Sequence, residues 1–260
     1  MEIIGLIPAG GRATRLGKIP CSKEIYPLFR EKSASEGRTQ IRVISEYLIN
    51  SYRIAGINNI YFILRKGKWD IPAYYGDGSD FGMNISYLIM NLPYGTPFTL
   101  DQAYPFTHDK YIALGYPDIL VEPAETYIKI KEKISETKAD IVLGLFPIDN
   151  YINWDMVEFD GKGKVKNIII KQERPDLKYG WTVAIWNPTF WKFMHEYIQN
   201  IISSGGDGRV IKEGQPPREL YPGDIFMEAI EAGLHLETVL LEKGRCLDIG
   251  NLENIGKIST

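Results

Sequence analysis

Short apolar runs of β type alternate along this chain with longer amphipathic stretches, and few architectures can absorb that pattern. Ile3-Ile4-Gly5-Leu6-Ile7 is a bounded, Ile-rich run that gives way at once to Pro8-Ala9-Gly10-Gly11. It predicts a buried strand ending in a glycine loop. Ile41, Ile44, Tyr47, Leu48 and Ile54 share one face of a predicted helix stopped by Gly56, and Ile60-Tyr61-Phe62-Ile63-Leu64 follows as a second strand. A strand, helix, strand unit pairs its strands in parallel and brings both carboxyl ends to one edge of the sheet. Tyr111-Ile112-Ala113-Leu114 and the run Ile141 to Phe146 read as further strands, with an amphipathic helix from Ala124 to Thr137 between them. The expected fold is therefore α/β: a Rossmann-like, doubly wound, mixed but mostly parallel sheet with helices on both faces.

The second half adds an antiparallel excursion. Val157 to Val165 carries Gly161 and Gly163 between two β-type arms and predicts an inserted hairpin. Asn187-Pro188 opens a helix to about Ser203, Pro222-Gly223-Asp224 opens another that stops near Gly233, and His235 to Leu241 alternates like a strand. Between those helices, Ser203 to Pro222 is rich in glycine and proline and reads as a long surface loop.

At 260 residues with 44% hydrophobic and 24% charged side chains, the chain can bury a core of its own, and one domain over 1–260 is expected. Thirty basic against 33 acidic residues leave a net charge of -3, which gives no electrostatic footprint for nucleic acid or an anionic membrane as partner. The two cysteines, Cys21 and Cys246, suit packed, reduced thiols rather than a disulfide framework. No run approaches the roughly 20 apolar residues of a membrane span, so a soluble, cytoplasmic protein is expected.

The glycine loop carries the strongest chemical signal. Pro8-Ala9-Gly10-Gly11-Arg12-Ala13-Thr14-Arg15-Leu16-Gly17 combines a strand end, paired glycines and two arginines. Glycines let backbone N–H groups close on phosphate oxygens, and Arg adds a forked charge. The spacing is neither that of a P-loop nor of a GxGxxG dinucleotide fingerprint, and by itself it fits a tight turn with solvated arginines equally well.

From Pro8 to Leu28 the chain resembles the nucleotide-binding segment of the sugar-1-phosphate nucleotidyltransferases, the group of glucose-1-phosphate thymidylyltransferase and UDP-glucose pyrophosphorylase, whose pattern runs roughly GGxGTRLxPxTxxxPKxLxPI. Gly10, Gly11, Thr14, Arg15, Leu16, Lys23 and Pro27 match it, whereas Ala13 replaces a glycine and Ser22 a proline. Leu114-Gly115-Tyr116-Pro117-Asp118 resembles the family's LGD with two residues interposed, Glu173-Arg174-Pro175 its EKP, and Leu247-Asp248-Ile249-Gly250 a late LDxG block.

The resemblance implies a nucleotide-binding half over about 1–120 and a sugar-phosphate half over about 121–260. It implies that a sugar-1-phosphate attacks the α-phosphorus of a nucleoside triphosphate, dTTP or UTP being favoured, and that pyrophosphate leaves. The site of such a reaction must align two polyanions and neutralise their charge. Ala9, Gly10, Gly11, Arg12, Thr14 and Arg15 are implied around the phosphates, with Lys23 at the α-phosphate and Met90 and Gly95 near the base. Asp118 and Asp248 are implied as oxygen ligands of Mg2+, and Glu173, Arg174 and Thr182 as sugar-phosphate contacts. Arg15, Lys23 and Asp118 are the expected catalytic residues. Met90 stands where the thymidylyltransferases read the base with a glutamine, Ile119 replaces an asparagine beside the metal aspartate, and Asp155 replaces a glycine of the sugar site. Asp155 is taken, with Asp140 and Asp149, as structural. The altered sugar pocket leaves open a cytidylyltransferase acting on a non-sugar phosphate such as phosphocholine, and a silent nucleotide-sugar-binding relative is the rival from another class. His108, His195 and His235 lack ligand spacing.

Overall fold

The structure, a computed structural model, describes residues 1–11, 19–32, 39–90, 95–149, 151–206, 209–210 and 218–249, apart from the side chains of 29–32 and 39–40. In chain order the elements of the first half are β1 (Ile3–Ala9), β2 (Pro27–Lys32), β3 (Thr39–Val43), α1 (Ile44–Ile54), β4 (Asn59–Arg65), α2 (Asp70–Tyr75), β5 (Asn84–Met90), α3 (Thr96–Asp101), α4 (Tyr104–Thr107), β6 (Tyr111–Leu114) and β7 (Ile119–Glu122). The second half contributes α5 (Thr126–Thr137), β8 (Ile141–Pro147), β9 (Asp155–Phe159), β10 (Val165–Ile170), β11 (Tyr179–Trp186), α6 (Pro188–Ser203), β12 (Arg209–Val210), β13 (Arg218–Glu219), α7 (Pro222–Glu231), β14 (Leu236–Leu240) and β15 (Arg245–Asp248).

The central sheet has nine strands; its main path runs β10-β9-β11-β6-β1-β4-β5, and β8 joins β11 to β14. The pairs β1 with β4 and β6, β4 with β5, and β14 with β8 are parallel. β11 runs antiparallel between β6 and β8, at the centre of the sheet rather than in the hairpin alone. Its eight residues are buried from Gly180 onward, because both faces of the sheet are covered, and so they show no polar alternation.

Alternation along β1 sorts the core into two layers. Ile4 and Leu6 face the cluster built with Trp186, Phe190, Trp191 and Phe226, on the side of α6 and α7. Ile3, Ile7 and Ala9 face the cluster built with Leu48, Tyr52, Tyr127 and Ile130, on the side of α1 and α5. Helix α6 starts where expected: Pro188 holds its first turn and the Asn187 side chain accepts the Phe190 N–H at 2.9 Å. Its Phe190, Trp191, Met194 and Ile198 form one buried stripe.

Two expectations change. The helix expected from Ile41 begins at Ile44, because Ile41 pairs with Phe29 in the β2–β3 hairpin and is 60% exposed, and Glu46 caps the true start by accepting the Val43 N–H. The long loop before α7 is not loop throughout, since β12 and β13 pair within it. Among the described residues no helix is long and apolar enough to cross a membrane.

Candidate active site

Strand β1 delivers Gly10 and Gly11 to the carboxyl edge of the sheet, and Lys23 reaches the same edge on a single 3-10 turn, Lys23–Ile25. A Cβ at Gly11 would lie 3.8 Å from the Lys23 Nζ, so the ammonium stands directly beside the glycine loop. The turn is anchored from both sides. Ser22 donates its N–H and hydroxyl to the Asp70 carboxylate at 2.6 and 2.7 Å, and these bonds hold that carboxyl below its usual range although partial burial opposes them. Glu24 points the other way, fully buried, and accepts from the likewise buried Lys68 at 2.5 Å. Burial pushes the Glu24 carboxyl up and the Lys68 ammonium down. Successive residues thus send one charge into the core and one into the cleft.

The strand ends bring in the carboxylates. Asp118 follows β6 and immediately precedes β7, and β15 lies antiparallel on β7 with Asp248 opposite Ile119. The Ile249 N–H donates to the Asp118 carbonyl at 3.1 Å, and Leu28, Ile44, Leu120 and Ile249 pack into a small apolar cluster beneath the pair. Lys23 donates to the Asp118 carboxylate in a direct ion pair. Burial works against its ammonium, yet Asp118 foremost, with Glu24 and Asp248 adding, holds its pKa above the ordinary lysine value.

Lys23, Asp118 and Asp248, remote in the chain, therefore share one electrostatic site beside Gly11. Among the described residues no group of three or more His, Cys, Asp or Glu forms a metal cage. A two-carboxylate pair is nevertheless the donor set that fits Mg2+, which takes its remaining oxygens from phosphates and water.

Met90 ends β5 beside Arg65 and is almost fully buried, with its sulfur 3.5 Å from where a Gly10 Cβ would sit, so it forms an apolar floor against the glycine loop and offers no polar edge to a base. Gly95 has φ of +112° and a Cβ there would fall 2.6 Å from the Leu220 carbonyl, so the close approach it permits is to this chain's own backbone. Arg12, Thr14 and Arg15 lie outside the described residues.

On the sugar-phosphate side the expected residues are dispersed. Glu173 is exposed, and Arg174 forks onto Asp176 at 2.8 and 2.6 Å, its other charged neighbour being Glu158. Thr182 is buried with its hydroxyl unpartnered, at the register shift between Trp181 and Val183. Two cations take defined seats nearby: Lys171, whose ammonium lies 3.7 Å from the centre of the Tyr221 ring, and Arg218, 5.0 Å from the same ring, and both act on Asp155.

Asp155, read from the sequence as structural, has an unusual setting. It opens β9 at 9% exposure, its Oδ1 has no hydrogen-bond partner among the described residues, and burial above all pushes its carboxyl up to about 6. In sequence it stands where the resembled family has a glycine of the sugar site. Tyr116 stands near both carboxylates: desolvation pushes its hydroxyl up, and Asp155 and Asp118 add to that.

The remaining candidates are structural. His195 meets Asp101 at 2.8 Å and stacks on Tyr104, and His235 meets Glu237 at 2.8 Å. Both cysteines are free, and burial pushes the Cys246 thiol up to about 12.

No protein-family model matches the chain. It is 30% identical over 186 residues to glucose-1-phosphate thymidylyltransferase of Mycolicibacterium smegmatis, covering 67% of this chain and 57% of that protein. It is 25% identical over 174 residues to the low-salt glycan biosynthesis nucleotidyltransferase Agl11 of Haloferax volcanii, covering 66% and 45%. The matched part spans about half the length of these curated relatives. Among solved structures, a Bacillus anthracis protein assigned as a glucose-1-phosphate thymidylyltransferase superposes with a TM-score of 0.78 at 18% identity over 99% of this chain and 94% of its own. UDP-glucose pyrophosphorylase complexed with UDP-glucose gives 0.75 at 14% identity over 100% and 97%. By sequence blocks and by fold the chain belongs with the sugar-1-phosphate nucleotidyltransferases.

Proposed function

We propose that the chain catalyses nucleotidyl transfer from a nucleoside triphosphate, dTTP or UTP favoured, to a sugar-1-phosphate. The observation that carries the reading is the meeting of Lys23, Asp118 and Asp248 beside Gly11 at the carboxyl edge of the sheet. A phosphate oxygen of the sugar-1-phosphate forms the new bond to the α-phosphorus, the α–β bridge breaks, and pyrophosphate departs with that electron pair. The nucleophile is already an anion, so no strong base is required. Alignment and charge neutralisation are the task.

In this reading the Gly10 and Gly11 amides and Arg15 hold the β- and γ-phosphates, with Ala9, Arg12 and Thr14 lining the same loop. Lys23 exchanges Asp118 for the α-phosphate when the triphosphate enters, its ammonium passing from one anion to another. Asp118 and Asp248 would hold Mg2+, which when bound neutralises phosphate charge. Glu173 accepts from sugar hydroxyls, Thr182 lines the sugar pocket, Arg174 binds the phosphate once it leaves Asp176, and Lys171 supplies a second cation from its seat on Tyr221.

The test is pyrophosphate release from the purified chain with dTTP, UTP or CTP, Mg2+, and a panel of sugar-1-phosphates, with phosphocholine as the non-sugar arm. Release that requires a sugar-1-phosphate and falls on the order of 10²–10³-fold in Lys23→Ala or Asp118→Ala supports the reading, that being the usual loss for a charge-stabilising group. Silence across the sugar panel overturns it.

A further inference from the structure

Resting on the nucleotidyl-transfer reading, we infer that Asp155 and Trp181 form a hydroxyl-reading subsite: one free ring hydroxyl of the sugar-1-phosphate donates to the Asp155 Oδ1 and accepts from the Trp181 indole N–H. Two buried atoms of opposite kind stand at this place. Asp155 Oδ1 is an acceptor and Trp181 Nε1 a donor, and neither has a partner among the described residues. They are neighbours: the indole N–H lies near enough to favour the ionised carboxyl as a donor does, but the geometry between the two falls short of a formed hydrogen bond. Buried polar groups are ordinarily paired, and an orphan costs the full desolvation of that group. A structural carboxylate here would have been satisfied cheaply, since Lys171 and Arg218 both act on it. Instead Lys171 lies over Tyr221, and Arg218 is committed to Asp224 by two bonds of 2.7 Å. The nearby cations are employed elsewhere, and the buried Asp155 Oδ1 is left without a partner among the described residues.

Packing holds the carboxylate close against α7. A Cβ at Gly223, on the first turn of α7, would lie 2.9 Å from Asp155 Oδ2, so a larger residue there would crowd the carboxylate. The location suits a sugar whose phosphate is at the reaction centre. The Tyr116 hydroxyl feels both Asp155 and Asp118, and its ring lies 6.4 Å from that of Trp181, so the orphan pair and the Lys23–Asp118 pair both neighbour Tyr116. The ligand chemistry follows from the two orphans together. A hydroxyl both donates and accepts and satisfies the pair at once, whereas an ammonium offers no acceptor to the indole.

The experiment takes the sugar-1-phosphate turned over fastest by the wild type, together with its analogues lacking one ring hydroxyl each and those carrying an amine there. In the wild type one deoxy analogue should lose about ten- to a hundredfold in kcat/KM, the range expected when a buried polar site loses its partner. The amino analogue at that position should recover only part of the loss. Asp155→Gly should erase the discrimination at that position alone. Trp181→Phe, which keeps the ring and removes the donor, should reduce it in the same place and serves if Asp155→Gly does not fold. An active wild type whose deoxy penalties are unchanged in both variants overturns the subsite and leaves the nucleotidyl-transfer reading standing. A wild type that turns over no sugar-1-phosphate overturns both.

Discussion

Replacing Asp155 by asparagine should stabilise the free protein, and the gain should depend on pH in a direction the burial dictates. Burial lifts the Asp155 carboxyl from 3.8 to about 6, against the opposing pull of Lys171 and Arg218 and with Asp224 adding repulsion. That rise corresponds to about 3 kcal/mol of preference for the protonated form in the folded state. Below about pH 4 folded and unfolded chains both hold the proton and no penalty exists. From there to about pH 6 the folded chain keeps a proton that the unfolded chain has lost, so stability falls as pH rises; above about pH 6 the full penalty applies. An asparagine side chain in this position has the same shape and no charge to desolvate. Urea unfolding of both proteins at pH 4 and pH 8 should therefore show the stability difference moving in favour of Asp155→Asn by up to about 3 kcal/mol, the upper bound set by that shift. A difference that is flat in pH, or a wild type relatively more stable at pH 8 than at pH 4, would refute the claim that this carboxylate is buried and unpaired. A charge kept at such cost is the kind of instability that sites retain for binding.

Four further outcomes follow from the same geometry. Asp248→Asn should lower pyrophosphate release, and excess Mg2+ should restore part of it, as expected of a weakened oxygen ligand; no change in rate or in Mg2+ dependence would remove Asp248 from that role. Chelation with EDTA should stop release by the wild type, and added Mg2+ should restore it. Glu24→Ala leaves the Lys68 ammonium buried without its partner and should cost about 3–5 kcal/mol in urea unfolding, whereas the double change Glu24→Gln with Lys68→Met should recover most of that loss. Asn187→Ala removes the acceptor of the Phe190 N–H and should cost about 1 kcal/mol of thermal or chemical stability, with turnover unaltered.

Local pattern carried much of the architecture. The Ile-rich opening run, the glycine pair after it, the Asn187-Pro188 start of α6 and the glycine-bearing hairpin of β9 and β10 are all set by residues within a few positions of one another, and the structure places them as the sequence predicts. Elements whose identity depends on remote neighbours were less legible. The antiparallel course of β11 needs β6 and β8 on either side of it, and the edge strand β5, with one partner in the sheet, shows no clean alternation.

The site divides in the same way. Sequence by itself determined which charges were available near the glycine loop and at the strand ends, because motif spacing fixes residue type at those positions. Only the tertiary structure decided which of them meet. Pairing of β7 with β15 carries Asp248 to Asp118, and a single 3-10 turn aims Lys23 at them while turning Glu24 inward to Lys68. It also left Arg174 on Asp176 and stranded the Asp155 oxygen beside an unpaired indole. The reason is that electrostatics and desolvation act through space, over distances that the order of strands in the sheet sets and that separation along the chain does not.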